Sequence, residues 1–146
     1  MSLLPRKGLL AIAAVIDVAL NARERPVSAR KLAARHNLPP RHLEPVLQAL
    51  VRDGILKGTR GPRGGYALGR ERGRITAADI LRAAHQVDDD NDEPEPHSVL
   101  LDHVVMPAIA LAERAFLTAL SRISVEDMTR QAECVPAARA EAGARD

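Results

Sequence analysis

The stretch from Ser28 to Tyr66, SARKLAARHNLPPRHLEPVLQALVRDGILKGTRGPRGGY, decides how the rest of the chain is read. Leu43, Val46, Leu47, Leu50 and Val51 recur at i, i+3, i+4, i+7 and i+8, the stripe of a helix with one buried face. Arg41, His42, Glu44, Gln48 and Arg52 fall on the opposite face, and each can reach a phosphate or a base edge. Asp53-Gly54 stops the helix, with Gly54 as its C-terminal cap. A shorter helix precedes it, from Ala29 to about His36, with Ser28 as N-cap and Leu32 and Ala33 buried. Asn37-Leu38-Pro39 makes the turn, and Pro40 suits a first helical position, where no N–H is needed. Ile55-Leu56-Lys57 and Tyr66-Ala67-Leu68 read as two short strands around a Gly-rich tip that carries Arg60 and Arg63. The expected fold class is therefore mainly α, a winged helix-turn-helix with a small β-hairpin wing. One residue resists this reading. Pro45 falls inside the second helix, where it deletes a hydrogen bond at a cost of about 3 kcal/mol, so a local kink, or a helix regular only after Pro45, is expected there.

The net charge of +2 conceals a division of the chain. Residues 1–76 hold 15 Lys and Arg against 5 Asp and Glu, a net +10, and residues 77–146 hold 6 against 14, a net −8. A basic half suits a polyanionic partner, and an acidic half does not. The bland alternative is a solvated surface of uneven charge, because charge asymmetry does not specify a fold.

Outside the central stretch the pattern is helical. With one Tyr, one Phe and no Trp, the core must be built from Leu, Val, Ile and Ala. Leu9 to Asn21 reads as a helix apolar nearly all round, with Leu9, Ile12, Ala13, Ile16 and Leu20 on one side and Leu10, Val15 and Val18 on others. Arg6 and Lys7 stand at its start, where the helix dipole disfavours cations and a phosphate would relieve them. After the wing comes a basic loop, Arg70 to Arg74. Thr76 and Asp79 then form a capping-box start for a helix to about Val87, burying Ile80, Leu81 and Ala84. The run from Asp88 to Pro96 holds six acids and two prolines. It cannot bury apolar surface, so residues 88–97 are expected to be an acidic linker. A hard-cation site is the sharper reading of those acids, but their spacing does not match an EF-hand loop. Ser98 to about Ile123 is a second long apolar helix, kinked or divided at Pro107. Ser124 opens a short helix to about Cys134, and residues 135–146 read as a flexible tail. No apolar run is long and uninterrupted enough for a membrane span, and Leu9–Leu20 lacks a signal-cleavage pattern, so a soluble cytoplasmic protein with no membrane partner is expected. The single Cys134 excludes an internal disulfide framework and any multi-cysteine metal site, and is expected to be inert, since a helix C-terminus disfavours its thiolate.

Four segments carry a family resemblance: RKGLLAIAAVIDVAL, LPPRHLEPVLQALVRDGIL, the wing RGPRGGYALGR, and ITAADILRAA. Together they resemble the Rrf-two family of bacterial winged-helix transcription regulators, closely over about residues 5–87 and more loosely from Ser98 to about Ala132. The wing is the most specific of them, since family members show Arg-Gly-Pro-x-Gly-Gly-Tyr there. The resemblance implies a DNA-binding unit over residues 1–87, a long dimerisation helix with a short closing helix within residues 98–134, and a homodimer on a partly palindromic operator. The chain also departs from the family. Iron–sulfur members carry three cysteines in the loop before the long helix, and this chain has acids and prolines there. A cluster of that kind needs thiolates, so the chain resembles a cluster-free member, and no cofactor is expected.

The implied function is sequence-specific binding of double-stranded DNA, in a homodimeric repressor. Arg41, His42, Glu44 and Gln48 are the candidates for base readout, because Arg reads guanine, Gln adenine and Glu cytosine. Lys31, Arg52, Lys57, Arg60 and Arg63 are expected to meet phosphate or the minor groove. For each residue singly, a solvated surface charge is the competing account. The alternative from another class is a dimeric protein-interaction module on the same scaffold. An enzyme is not expected: there is no metal-ligand cluster or convincing nucleophile–base pair, and Gly61–Gly65 lacks the spacing of a phosphate-binding loop. The signal sensed is not written in the sequence, which is compatible with a small-molecule effector.

Overall fold

A computed structural model describes residues 4–87 and 96–136. The element order is α1 (Arg6–Asn21), α2 (Ala29–Arg35), α3 (Pro40–Arg52), β1 (Leu56–Thr59), β2 (Gly65–Leu68), a 3-10 turn (Arg72–Arg74), α4 (Ala77–Ala84), α5 (Met106–Leu120) and α6 (Val125–Glu133). The acidic run at 88–95 and the tail beyond 136 lie outside the described residues.

Local signals set most helix starts. Ser28 Oγ accepts the Lys31 N–H at the start of α2. At α4, Thr76 and Asp79 exchange side-chain and backbone hydrogen bonds, and Ser124 and Asp127 repeat that box at α6. Asp127 ionises below its ordinary range because it accepts backbone and side-chain hydrogen bonds from Ser124. Asn37, with φ 56°, makes the left-handed step between α2 and α3, a conformation Asn tolerates. Gly54, with φ 76°, ends the α3 segment as the sequence predicts.

Helix α3 runs unbroken through Pro45. Pro45 is exposed, as is Arg41, whose carbonyl loses its helical donor. The missing bond therefore lies on the solvent side, which explains why the buried stripe continues past the proline. Leu43, Val46, Leu47 and Leu50 are all buried, as their spacing predicts.

The core gathers α1, α2, α3, the strand residue Leu56 and the start of α6 around one apolar cluster, in which Val125 of α6 is fully buried. Here the structure corrects the reading of α1. The side expected to be buried is only partly covered, and Leu9 is 43 % exposed. The buried side carries Ala11, Ala14, Val15, Val18 and Ala19, so Val15 and Val18 are enclosed as the sequence predicts. It shares the main core cluster with Ile80, Ala83 and Ala84 of the neighbouring α4, while Ala77 and Ala78 of α4 gather with Ile12 and Leu120 in a smaller one. A helix that is apolar all round does not announce which side its partner approaches, and small side chains allow the closest approach. Helix α4 also ends at Ala84, short of the expected Val87, and Leu81 is only half-buried.

The second apolar element is one helical run with a π turn at Leu101–Val105, just before Pro107. The Met106 N–H bonds the Leu101 carbonyl five residues back. This widening accommodates a proline that can neither donate nor let an earlier carbonyl pack tightly. By length and composition Leu101–Leu120 is apolar enough to cross a membrane, with a hydropathy of 1.4 and 6 % of it buried. The sequence reading did not expect this.

One polar cluster is set into the core. Asp17, in α1, is 8 % exposed. Its carboxylate receives the Arg35 guanidinium at 2.9 Å, lies 3.2 Å from His36 Nε2, and accepts from Asn21 Nδ2 at 2.9 Å. Arg35 and His36 end α2, so this carboxylate fastens the helix-turn-helix to α1. Replacing it strands a largely buried guanidinium. Asp17→Ala is expected to lower stability by about 3 kcal/mol, read as a loss of urea midpoint at unchanged slope. A variant with the parent midpoint would show that Arg35 and His36 need no partner.

Candidate nucleic-acid interface

The outward crest of α3 carries Arg41, Glu44, Pro45, Gln48 and Arg52, spaced so that all stand on one side of the helix, with His42 on its α1 flank. All six are exposed. The crest is possible because the stripe below it is satisfied by the core.

The wing is positioned by register and by glycine. Leu56 pairs Leu68, Lys57 pairs Ala67, Gly58 pairs Tyr66 and Thr59 pairs Gly65. Lys57, Arg60 and Arg63 are exposed on it. The wing is also bonded to the residues before α2. The Val27 N–H donates to the Tyr66 carbonyl at 2.9 Å, and the Tyr66 N–H returns to the Val27 carbonyl at 2.8 Å. This requires Gly65, since a Cβ there would lie 2.5 Å from the Val27 carbonyl carbon and oxygen. A two-stranded hairpin alone is marginal. Its bridge to Val27 ties it to the helix-turn-helix.

Between wing and helices lies a cleft of about 500 Å³, lined in part by Ser28, Gln48, Thr59, Arg60 and Tyr66. A second groove, of about 880 Å³, runs along the other flank of α3 between the start of α1 and the end of α4. Arg6, Lys7, Arg41, His42, Gln48 and Arg52 line it. The predicted residues therefore divide. Gln48 and Arg60 share the cleft, Arg41, His42, Gln48 and Arg52 share the groove, and Glu44, Lys31, Lys57 and Arg63 are exposed without lining either. Tyr66 was not singled out for the site, nor were Arg6 and Lys7 placed in it. No periodic signal could have found them, because they join the crest only through tertiary packing.

Two cations of the basic loop after the wing bond backbone carbonyls. The Arg70 guanidinium donates to the Asp53 carbonyl at 2.7 Å, and that of Arg72 to the Ala19 carbonyl at 2.5 Å. These two cations hold the wing and α1 in place.

Burial raises the pKa of the Tyr66 phenol, and the negative charge of Glu44 raises it further. The hydroxyl stays a donor through the neutral range. The neutral form is favoured by folding, so its contribution to stability is present below pH 10.0 and is lost as pH rises through the folded value.

A helix-turn-helix with an exposed polar crest and a basic hairpin defines a winged-helix transcriptional regulator. The particular family follows from sequence. The pattern of the Rrf2 family, described as iron-dependent transcriptional regulator, matches residues 4–131, and the chain belongs to that family. It is 37 % identical over 83 residues to the HTH-type transcriptional regulator IscR of Xenorhabdus nematophila, covering 57 % of this chain and 51 % of that protein. The chain spans about half the length of the curated relatives it matches. Among solved structures it resembles IscR of T. potens, with a TM-score of 0.68 and 27 % identity over 98 % of this chain and 92 % of that one. It also resembles CymR, the global cysteine regulator of B. subtilis, with a TM-score of 0.66 and 27 % identity over 90 % and 98 %. The curated relatives are named as transcriptional regulators, a class without enzymatic chemistry.

Among the described residues, the iron in the family's description finds no fitting group of donors. Cys134 is the chain's one cysteine and is exposed at the end of α6. Among the described residues, no group of three or more His, Cys, Asp or Glu is placed to hold a metal ion. Thiolates are what such clusters require, so the residues present do not fit one.

Because Tyr66 is the only tyrosine and there is no Trp, one phenolate absorbance reports it alone. Its titration midpoint is expected above 10.0, and Glu44→Gln should lower it without restoring the ordinary value, since burial is the larger cause. A midpoint unmoved by Glu44→Gln would separate the crest from the wing electrostatically.

Proposed function

We infer that the chain is a sequence-specific DNA-binding repressor that acts as a homodimer in the cytoplasm. Residues 1–87 form its DNA-binding unit, residues 98–134 its association unit, and the acidic residues 88–97 link them. The observation that carries this is the exposed crest of α3 standing beside a wing whose charged residues are all cationic. Arg41, His42, Glu44 and Gln48 would read base edges in the major groove. Lys31, Arg52, Lys57, Arg60 and Arg63 would meet phosphate or the minor groove. The cleft between α3 and the wing offers the duplex backbone a place, with the Ser28 and Tyr66 hydroxyls at its wall.

Association is supported by α5. Val104, Val105, Met106, Ile109, Leu111 and Phe116 are each between 37 % and 65 % exposed. A monomer rarely leaves so large an apolar surface open. The helix also carries Glu113 and Arg114 in its middle, which a bilayer would penalise and a protein interface can place at its rim. A two-fold protein asks for a two-fold operator, with half-sites one or more helical turns apart.

Two measurements test the reading. Operator fragments selected from genomic DNA should bind with a steep loss of affinity as salt rises. Arg60→Ala with Arg63→Ala removes two cations from each protomer of the dimer and should reduce that salt slope by about 4, near 0.9 for each phosphate no longer neutralised. Unchanged binding across several salt concentrations would remove the wing from the interface, and weak, salt-insensitive DNA binding would favour the protein-interaction reading. Sedimentation should find a dimer at micromolar concentration, and Ile109→Glu should shift it to monomer. A stable parent monomer would contradict the assembly.

A further inference from the structure

The groove on the α1 flank of α3 has a composition that a duplex does not explain. Among the described residues its charged lining is cationic, Arg6, Lys7, Arg41 and Arg52, drawn from two helices far apart in sequence. Its remaining lining includes Leu10, Leu38, Val46 and Val87, from α1, the turn before α3, α3 itself and the end of the α4 segment. Leu10, Leu38 and Val87 are only half-buried, so apolar surface stays open in the groove. Phosphodiesters would use the cations and leave this surface wet. A small molecule with an anionic head and an apolar body would use both. The volume of about 880 Å³ is within the range of ligand pockets.

We propose that this groove binds an amphipathic organic carboxylate and that its occupation opposes DNA binding. The guanidinium fork matches a carboxylate in a two-point bond, and the apolar lining takes the body. Two of the cations, Arg41 and Arg52, belong to the face assigned to DNA. Ligand and operator therefore draw on the same charges, and each weakens the other by the same factor. Binding of the carboxylate stands on the groove alone, while its effect on DNA rests on the function proposed above.

The test uses the full chain and decanoate below its micellar concentration. Calorimetric titration without DNA should show saturable binding of one decanoate per chain, with acetate and decanol, which carry only the head or only the body, failing to saturate. Arg6→Ala, at an exposed position outside the DNA-reading set, should weaken decanoate binding about tenfold, the effect of removing one charge-assisted hydrogen bond. Val87→Asp should abolish it, because the new carboxylate repels the head and spoils the apolar wall. If Val87→Asp unfolds, Arg6→Ala still decides. Decanoate should also raise the apparent Kd for operator in the parent and not in Val87→Asp. Absence of saturable binding, with Arg6→Ala weakening only DNA, would assign the groove to the duplex backbone and overturn the proposal. Binding that neither variant changes would place decanoate elsewhere, on the apolar side of α5, and overturn it equally. A chain that binds decanoate but no DNA keeps the site and defeats only the functional reading.

Discussion

The carboxylate of Asp17 is the constraint on which the orientation of the DNA face depends. It is buried in α1, yet it gathers both side chains that end α2, Arg35 and His36, together with Asn21. An apolar core without aromatic rings packs by volume and leaves helices some freedom to slide. A buried charge does not, because displacement would leave an ion unsolvated. Such a pair is weak evidence for net stability, since well-packed apolar residues of the same volume can do as well. Its role here is register. It fixes where α2 ends, and the left-handed step at Asn37 then fixes where α3 begins. The mutual bonds of Val27 and Tyr66 extend this frame to the wing.

What could be read from the sequence is what local chemistry decides. The caps at Ser28, Thr76 and Ser124 are short-range hydrogen bonds, and all three sit where their residue types predict. The buried stripe of α3 is a matter of period, and the exposure of Arg41, Glu44, Gln48 and Arg52 follows from it. The orientation of α1 could not be read, because its apolar residues go nearly all round, and the choice of the alanine side depends on α4. The groove was hidden for the same reason, since its walls come from the start of α1, from α3 and from the chain after α4. The basic loop shows the same limit, since its charge is plain in the sequence but the engagement of Arg70 and Arg72 with backbone carbonyls is not.

The acidic half of the chain complements this arrangement. Glu126, Asp127 and Glu133 of α6 lie away from the wing, and α6 packs on α1 and the 3-10 turn. Glu133 approaches Arg23 at 3.5 Å in an exposed pair, worth little in energy. Thr76 and Ser124 form a bridge between the starts of α4 and α6, so the two capping boxes lie side by side. Among the described residues, the cations of the crest and wing are exposed together, and these three acids are carried by a helix that packs on α1 and the 3-10 turn.

Glu44 is the exception on the cationic crest. It is the only acid in α3. Placed before a duplex, a carboxylate costs affinity against every sequence, because each phosphate repels it. Its charge already acts on Tyr66 at the wing, so it is near enough to be felt across the cleft. On the proposed reading, that cost is offset only where a cytosine amino group donates to the carboxylate. An acid here therefore weakens wrong sequences more than the right one, and discrimination of this kind needs a repulsive element as well as attractive ones. On that reading Arg41 and Gln48 on the same crest would supply the attraction, and Glu44 would limit how far it extends to DNA of any sequence.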